Sequence, residues 1–461
     1  MSKNNSSYGK LNVLKLLANG RGKVCFLGVG GVSMSALLVL SSYFGIHTFG
    51  CDKKENEYTN ELRRRGECIF IGETELPYDT KLLVYTLAVE EDDPMILKAE
   101  KRGIPCVSRA EYMSALAEAY KNKIAVSGSH GKSTVTAMLH SIFICAGLNP
   151  TTLSGARLCG GGHSYHLGSL DTMIYEACEY KDSFLAFEPN IALFLNLEHD
   201  HVDYFENIDA LEKSFLKAAQ RSGVAIINTD DERLRKIAEK LYTPPITVGK
   251  NNDAIYKYEL IAKRGGGVGA AVLRDGEYLG ELTLKIIGEF NLLNAVMACA
   301  AATSCGIDFS TCRKALSEFS GIPCRLERVG AWHGRTVYFD YAHHPTEIES
   351  GIKAIKSDTG DDITVIFGPH TFSRTKALMD SFAASLTLAD RLLITEIDAV
   401  REKNDGTVSA QLLAQKANGK VIRTLNDLES ELPASSGAIV VMGAADLGWV
   451  KSFFMKSIDK C

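Results

Sequence analysis

Short runs of apolar, often β-branched residues alternate along this chain with stretches in which apolar positions recur every three to four residues, and the alternation starts afresh three times. The first round predicts strands at 24–27, 47–50 and 82–86, with a helix over 34–43. A second begins at 123 and continues through apolar runs at 174–177, 191–197 and 224–228. From 254 to 287 it gives way to a strand-rich tract punctuated by Arg264-Gly-Gly-Gly267 and Asp275-Gly276, which predicts antiparallel strands, and a buried helix is expected over 292–302. The third follows Gly321-Ile-Pro323, with strands at 337–341, 363–367, 392–396 and 439–442. Parallel strands need a long crossover between them, and a helix is the usual one, so this pattern reads as α/β. Three units in series are expected, at 1–121, 122–320 and 321–461; the length of 461 residues agrees, at roughly 150 residues per domain.

Composition narrows the class. A balance of 51 basic against 56 acidic residues leaves a net charge of -5, so nothing attracts nucleic acid globally and an anionic ligand has to be captured by local features. No apolar run approaches the ~18 residues of a membrane span, and the polar first nine residues do not resemble a secretory leader. The twelve cysteines are scattered without a C-x-x-C pair, which reads as free thiols in a reducing cytosol rather than disulfides or a zinc site. A cytoplasmic protein without membrane insertion is expected; monomer and homodimer both stay open.

The segment 124–135 carries the most chemistry. The run Ile124-Ala-Val126 leads into Gly128-Ser-His-Gly-Lys-Ser-Thr134, and Val135, Met138, Leu139, Ile142 and Phe143 then follow at helical spacing to Gly147. A glycine loop between strand and helix aims backbone N–H groups and the positive end of a helix dipole at one point, and Lys132 adds a full charge. Polyphosphate is the expected occupant, with the Ser133 hydroxyl available to magnesium. Val126 stands where the standard P-loop has its first glycine, so this is a shorter form of that loop.

Other clusters sit at strand ends, where ligands of α/β sheets collect. Gly28-Val-Gly-Gly-Val-Ser33 follows the first strand, and Asp52 ends the second where a ribose-binding acid is expected. Three readings stand: a nicotinamide site, which would make this an oxidoreductase, a turn with no ligand, or another nucleotide diphosphate. Glu176-Ala-Cys-Glu-Tyr180 offers a carboxylate to magnesium opposite Ser133. Asn196-Leu-Glu-His-Asp-His-Val-Asp203 suggests metal or phosphate chemistry through His199 and His201, or a solvated acidic loop. Asp340-Tyr-Ala-His-His-Pro-Thr-Glu347 and Phe367-Gly-Pro-His-Thr-Phe-Ser-Arg-Thr375 bring His343, His344, His370 and Arg374 to what are expected to be neighbouring strands facing one cleft, with one histidine of the 343/344 pair capping the turn. The run Arg63-Arg-Arg65 reads as a solvated helix face.

Taken in order, six motifs resemble those of the Mur ligase family over nearly the whole chain: Gly28-Val-Gly-Gly-Val-Ser-Met-Ser35, Gly128-Ser-His-Gly-Lys-Ser-Thr134, Glu176-Ala-Cys-Glu-Tyr180, Gly288-Glu-Phe-Asn-Leu-Leu-Asn294, Asp340–Glu347 and His370-Thr-Phe-Ser-Arg-Thr375. The resemblance implies a Rossmann-like first domain for a UDP-sugar, a central ATP-binding P-loop domain with added antiparallel strands, and a Rossmann-like C-terminal domain for the amino acid. It implies an ATP-dependent ligase, most like the branch that joins L-alanine to the carboxylate of UDP-N-acetylmuramate through an acyl phosphate. Alternatives are the branch that attaches a whole tripeptide to the same sugar nucleotide, or a non-catalytic nucleotide-binding relative. Matched by position, Gly28, Gly30, Gly31, Ser33, Met34, Ser35 and Asp52 would meet the UDP-sugar. Gly128, Ser129, His130, Gly131, Lys132, Ser133, Thr134, Asn291, Asn294, Arg325 and Asp340 would meet ATP. Ser133 and Glu176 would hold one magnesium ion and His201 a second; Lys132, His343 and Arg374 would be catalytic, with Tyr341 beside them. The chain departs from the usual family pattern at Ser129, Ser133, Cys178 and Ala445, and carries the single Arg325 where two arginines are common.

Overall fold

The three strands expected near the N-terminus lie in one five-stranded parallel sheet, joined by two short strands that were not expected. The computed structural model describes residues 8–90, 92–159, 162–199, 204–261, 267–360, 362–399, 402–404, 406–432 and 437–458. In it β1 (Lys23–Leu27), β2 (Thr48–Asp52), β3 (Ile69–Ile71), β4 (Thr80–Tyr85) and β5 (Cys106–Ser108) lie in the order β3-β2-β1-β4-β5. The chain winds outward from β1 on one side and then on the other, so β1 and β4 flank a switch point of the kind that forms a ligand crevice. Around the sheet lie α1 (Lys10–Ala18), α2 (Val32–Tyr43), α3 (Glu57–Arg64), α4 (Pro94–Lys101) and α5 (Arg109–Ala117). Val24, Cys25 and Phe26 of β1 and Leu82, Leu83 and Val84 of β4 are wholly buried, as strands covered on both faces must be.

A second sheet contains β6 (Asn122–Ser127), β7 (Pro150–Leu153), β8 (Tyr165–His166), β9 (Ser169–Glu176), β10 (Ile191–Phe194) and β11 (Val224–Asn228), ordered β11-β10-β6-β9-β7-β8. Only β8 runs antiparallel to its neighbour within this set. Helix α6 (Lys132–Cys145) follows β6. Residues 1–197, 209–247 and 297–308 make up one compact unit, and 198–208, 248–296 and 309–461 another. The stretch 248–296, expected with the phosphate loop, therefore falls in the second unit.

In that second unit the end of β12 (Ile246–Gly249) pairs in parallel with β13 (Tyr256–Leu260), which leads into the antiparallel pairs β13–β14 (Val268–Arg274) and β14–β15 (Glu277–Leu284). Asp275 and Gly276 both adopt positive φ, 51° and 81°, the backbone that a tight two-residue hairpin demands. Of the other expected turn, only Gly267 lies among the described residues. The C-terminal sheet comprises β16 (Glu327–Trp332), β17 (Arg335–Asp340), β18 (Ile363–Gly368), β19 (Arg391–Ile394), β20 (Lys420–Val421) and β21 (Ala438–Gly443), ordered β16-β17-β21-β18-β19-β20. Side chains alternate across it. Val365, Phe367, Val440 and Met442 pack with Ile348, Ile352 and Ile355 of helix Pro345–Thr359, whereas Val337, Phe339, Ile366 and Val441 pack with Val450 and Phe454 of helix Gly448–Ser457. One expectation is corrected: β17 and β18 are not neighbours, because β21 inserts between them.

Among the described residues all cysteines are free thiols, and no helix is long and apolar enough to cross a membrane.

Candidate active site

Strand β6 pairs with β10 and β9 and delivers the chain into the loop from Gly128 to Gly131. Gly128 has φ 143°, and a Cβ there would stand 3.0 Å from Leu195 Cβ and 3.2 Å from Asn196 N, so glycine lets the loop lie against the end of β10. Gly131, at φ 84°, is the N-cap of α6. The first-turn amides of α6 have no partner within the helix, the arrangement that suits an anion, and Ser133 and Thr134 are buried beside them in sequence. Two expected donors are committed elsewhere. Ser129 N donates to Asn196 O (3.3 Å) and His130 N to Asn196 Oδ1 (2.8 Å), while Asn196 Nδ2 returns a bond to His130 O (3.1 Å). The main-chain N–H groups of Ser129 and His130 thus hold the loop's shape, and Asn196, which the sequence places at the head of an acidic run, is its structural staple.

Lys132 Nζ donates to the carbonyls of Gly128 and Ser129 and lies 3.2 Å from Glu179 Oε2. Burial alone would lower its pKa, but Glu179, Cys178 and Glu176 outweigh that and hold the ammonium above its ordinary range. Glu179, 2% exposed, had been given no role. Glu176 ends β9 with Oε1 accepting from Ser154 Oγ (3.1 Å) and from Gly155 N, while Oε2 accepts no hydrogen bond among the described residues. A buried hydroxyl at Ser133 and an uncommitted carboxylate oxygen at Glu176 are hard oxygen donors, the chemistry that suits magnesium. Arg109, at the start of α5, was also missed; its charge acts on Cys178 and Glu176, and its side-chain hydrogen bond goes to Met113 Sδ (3.7 Å). His201 lies outside the described residues, as do 200, 202 and 203. His199 Nε2 meets Phe205 O at 3.0 Å, which ties that ring to the main chain.

The first glycine loop is built differently from the expectation. Gly28 has φ 92°, and a Cβ there would meet Thr86 Cγ2 at 2.6 Å. Gly30 N donates to Asp52 Oδ2 (2.7 Å), Lys54 N to Asp52 Oδ1 (3.2 Å), and Asn56 Nδ2 to Gly30 O (2.9 Å). Each oxygen of Asp52 thus accepts from a main-chain amide, and the carboxylate fastens the loop. Met34 and Ser35 are buried, and Ser35 Oγ donates to Val32 O (2.9 Å). Their side chains turn into the fold, while Gly31, the N-cap of α2, and Ser33 lie at the loop.

In the second unit, Arg325, Asp340, Tyr341, His343 and Glu347 gather at the end of β17. The Arg325 guanidinium lies 4.9 Å from the Tyr341 ring centroid and 4.0 Å from Glu347 Oε1; His343 Nδ1 lies 3.3 Å from Glu347 Oε2. Glu347 Oε2 also accepts from the main-chain N of His343 (2.9 Å) and His344 (3.3 Å), so the reach-back cap of helix Pro345–Thr359 comes from this carboxylate. His344 Nδ1 lies 3.2 Å from Glu198 Oε2, which accepts from Thr346 Oγ1 (2.8 Å). Asn291 Nδ2 donates to Ile287 O (2.7 Å) and Asn294 Nδ2 to Asn291 Oδ1 (3.3 Å), both side chains being buried. Arg374 sits beyond β18 in a short helix opened by Thr371, whose φ of 67° is unusual for a branched residue; His370 is held below its ordinary pKa by burial and then by Arg374.

Burial pushes the Asp340 carboxyl up to about 7, with Arg325 opposing and Glu347 reinforcing the shift. A carboxyl pKa raised in the fold supports folding below the ordinary value near 4, and that support is lost as pH rises through about 7. Asp340→Asn is therefore expected to gain stability relative to wild type between pH 5 and pH 8, by roughly 3 kcal/mol. Calorimetry at both pH values checks this; an equal offset would show that Asp340 titrates normally.

Three family models match consecutive segments: "Mur ligase family, catalytic domain" over 23–121, "Mur ligase middle domain" over 126–302 and "Mur ligase, glutamate ligase domain" over 324–445. The chain is 38% identical over 399 residues to a UDP-N-acetylmuramate--L-alanine ligase of Caldicellulosiruptor bescii, covering 86% of this chain and 88% of that one. It is 35% identical over 453 residues to the enzyme of the same name from Clostridium novyi, covering 96% and 99%. Among solved structures, the UDP-N-acetylmuramate-alanine ligase of Thermotoga maritima superposes with a TM-score of 0.80 at 26% identity, covering 94% of this chain and 98% of that one. A murein peptide ligase of Psychrobacter arcticus shares the fold, with a TM-score of 0.71 at 24% identity and coverage of 95% and 98%. With a glycine loop leading from β6 into α6, the full three-domain architecture and likeness along nearly its whole length, the chain belongs to the Mur ligase family.

Proposed function

We infer that this chain is an ATP-dependent ligase that joins L-alanine to the carboxylate of UDP-N-acetylmuramate in peptidoglycan synthesis. The observation that carries this is the end-to-end correspondence with L-alanine-adding ligases, at 35% identity over 96% of the chain. In this reading the residues 1–121 hold the sugar nucleotide, 122–320 hold ATP and 321–461 receive the amino acid, and the enzyme works in the cytoplasm.

The reaction first forms an acyl phosphate. A substrate carboxylate attacks the γ-phosphorus of ATP, ADP leaves, and the amine of L-alanine then attacks the acyl carbon and expels phosphate. The first step brings an anion onto a polyanion; at ~4 Å unit charges repel by about 4 kcal/mol at an effective dielectric near 20. Lys132 and the first-turn amides of α6 supply fixed counter-charge on the phosphate side. Glu179 holds the ammonium in place before ATP arrives, and the carbonyls of Gly128 and Ser129 fix its direction. Ser133 and Glu176 would hold a magnesium ion, and His201 a second; magnesium neutralises phosphate charge when bound. Asn291, Asn294, Arg325 and Asp340 serve the nucleotide. Tyr341, His343 and Arg374 serve the incoming amine and the acyl phosphate, and His343, whose Nδ1 lies beside Glu347, is the group assigned to take the amine proton.

The experiment is phosphate release from ATP with UDP-N-acetylmuramate and, in turn, L-alanine, glycine, L-serine and the stem tripeptide. Turnover is expected with L-alanine. Turnover with the tripeptide alone would assign the chain to the other branch, and ATP binding without turnover in every mixture would leave only a nucleotide-binding protein.

A further inference from the structure

Residues 154–158 and 162–166 run as two limbs tied to each other by Ser154 N→Ser164 O and Leu158 N→His163 O, each 2.8 Å. At one end this strap holds Glu176, whose Oε1 accepts from Ser154 Oγ and Gly155 N. At the other it is anchored to α3. Arg157 Nη2 lies 2.6 Å from Glu57 Oε2, His163 Nδ1 lies 2.7 Å from Glu61 Oε1, and Tyr165 OH donates to that same oxygen at 3.3 Å. The His163 and Tyr165 rings stack at 5.2 Å, and the Arg65 guanidinium covers Tyr165 at 5.6 Å. Glu57 and Glu61 are four apart on one face of α3, so a single rigid element grips both limbs. The N-cap of α3 is Asn56: its Oδ1 accepts from Tyr58 N and Thr59 N, and its Nδ2 donates to Gly30 O. Hydrogen bonds and ion pairs thus run without a break from the first glycine loop, through α3 and the strap, to the carboxylate at the end of β9.

We propose that this strap sets the placement of Glu176 according to the state of the first glycine loop, with Glu61 as the positioning residue that anchors it. The strap decides which Glu176 oxygen is committed: Oε1 faces Ser154 and Gly155, and Oε2 is left for a cation. A shift of α3 when a sugar nucleotide seats on the Gly30 loop is carried to the Gly155 amide through charge-assisted contacts, which are shorter and stronger than neutral ones. The Glu61 side chain is 19% exposed, so its contacts are screened less than surface pairs. Sugar-nucleotide binding and metal–ATP binding are then coupled, and the coupling is reciprocal. This rests on the reading that Glu176 holds a divalent cation.

The test is Mn2+ binding followed by electron paramagnetic resonance in the presence of a non-hydrolysable ATP analogue, with and without UDP-N-acetylmuramate and with no amino acid. In the wild type the sugar nucleotide is expected to tighten Mn2+ binding about fivefold or more. In Glu61→Ala the tightening is expected to vanish, and the protection from hydrogen exchange that the sugar nucleotide confers on amides 154–158 to vanish with it. Tyr165→Phe removes one hydrogen bond and keeps the core packed, so it is the variant to use if Glu61→Ala does not fold; it is expected to lose at least half of the tightening. Wild-type tightening in either variant, or none in the wild type, overturns the proposal. Glu176→Gln separates the two readings: if it leaves Mn2+ binding unchanged, the metal reading falls, and the strap is judged on exchange of 154–158, where equal protection in Glu61→Ala and wild type overturns it.

Discussion

Lys132→Ala is expected to cut phosphate release by about 10³-fold, in line with the loss of a preorganised charge aimed at the reacting phosphates. The same substitution also acts on the fold. Glu179, 2% exposed, lies 3.2 Å from the ammonium, and removal of one member of a buried pair costs about 3–5 kcal/mol because the other is stranded. The two losses separate in a double variant. Lys132→Ala with Glu179→Gln is expected to regain most of the melting temperature and none of the activity, since the neutral amide no longer needs a counter-ion while the phosphates still lack theirs. Calorimetry and a phosphate-release assay on the three proteins check this. Near-wild-type turnover in Lys132→Ala would remove the loop from the reaction.

Glu176→Gln is expected to raise the magnesium concentration needed for half-maximal turnover at least tenfold, and to lower the rate at fixed magnesium by about 10²–10³-fold. The size follows from one lost charge near a divalent ion, about 4 kcal/mol per unit-charge pair at 4 Å with an effective dielectric near 20. The fold should be indifferent, because a glutamine carbonyl at the same position still accepts from Ser154 Oγ and Gly155 N. Titration of activity against magnesium is the measurement. An unchanged magnesium requirement would take Glu176 out of the ligand set.

What the sequence disclosed and what it withheld follow a physical line. Apolar periodicity is local, so β1, β6, β10, β17, β18 and α6 were all legible, as was the glycine loop that needs strand, turn and helix in register. Pairing order is not local. Nothing between 337 and 367 signals that β21 will insert between β17 and β18. The same holds for single side chains whose work is done at long range: Asn196 closes the phosphate loop from 66 positions away, and Asp52 closes the first loop from 22. Membership in a motif also says nothing about which way a side chain turns. Met34 and Ser35 stand beside Ser33 in sequence, yet the helical twist carries both into the interior. Glu179 and Glu347 sat inside quoted motifs without a role because their partners, a lysine ammonium and two backbone amides, are visible only in three dimensions.

The insertion of β21 has a consequence for how the protein is made. A ribosome releases β17 and β18 long before β21: Arg335 and Ala438, joined by a hydrogen bond in the finished sheet, are 103 positions apart. Throughout that interval two strands of Val, Ile and Phe wait with bare edges, the state most open to capture by another nascent chain. The C-terminal sheet is completed from its middle and late in synthesis, and a chain truncated before 438 would be left with those edges unsealed.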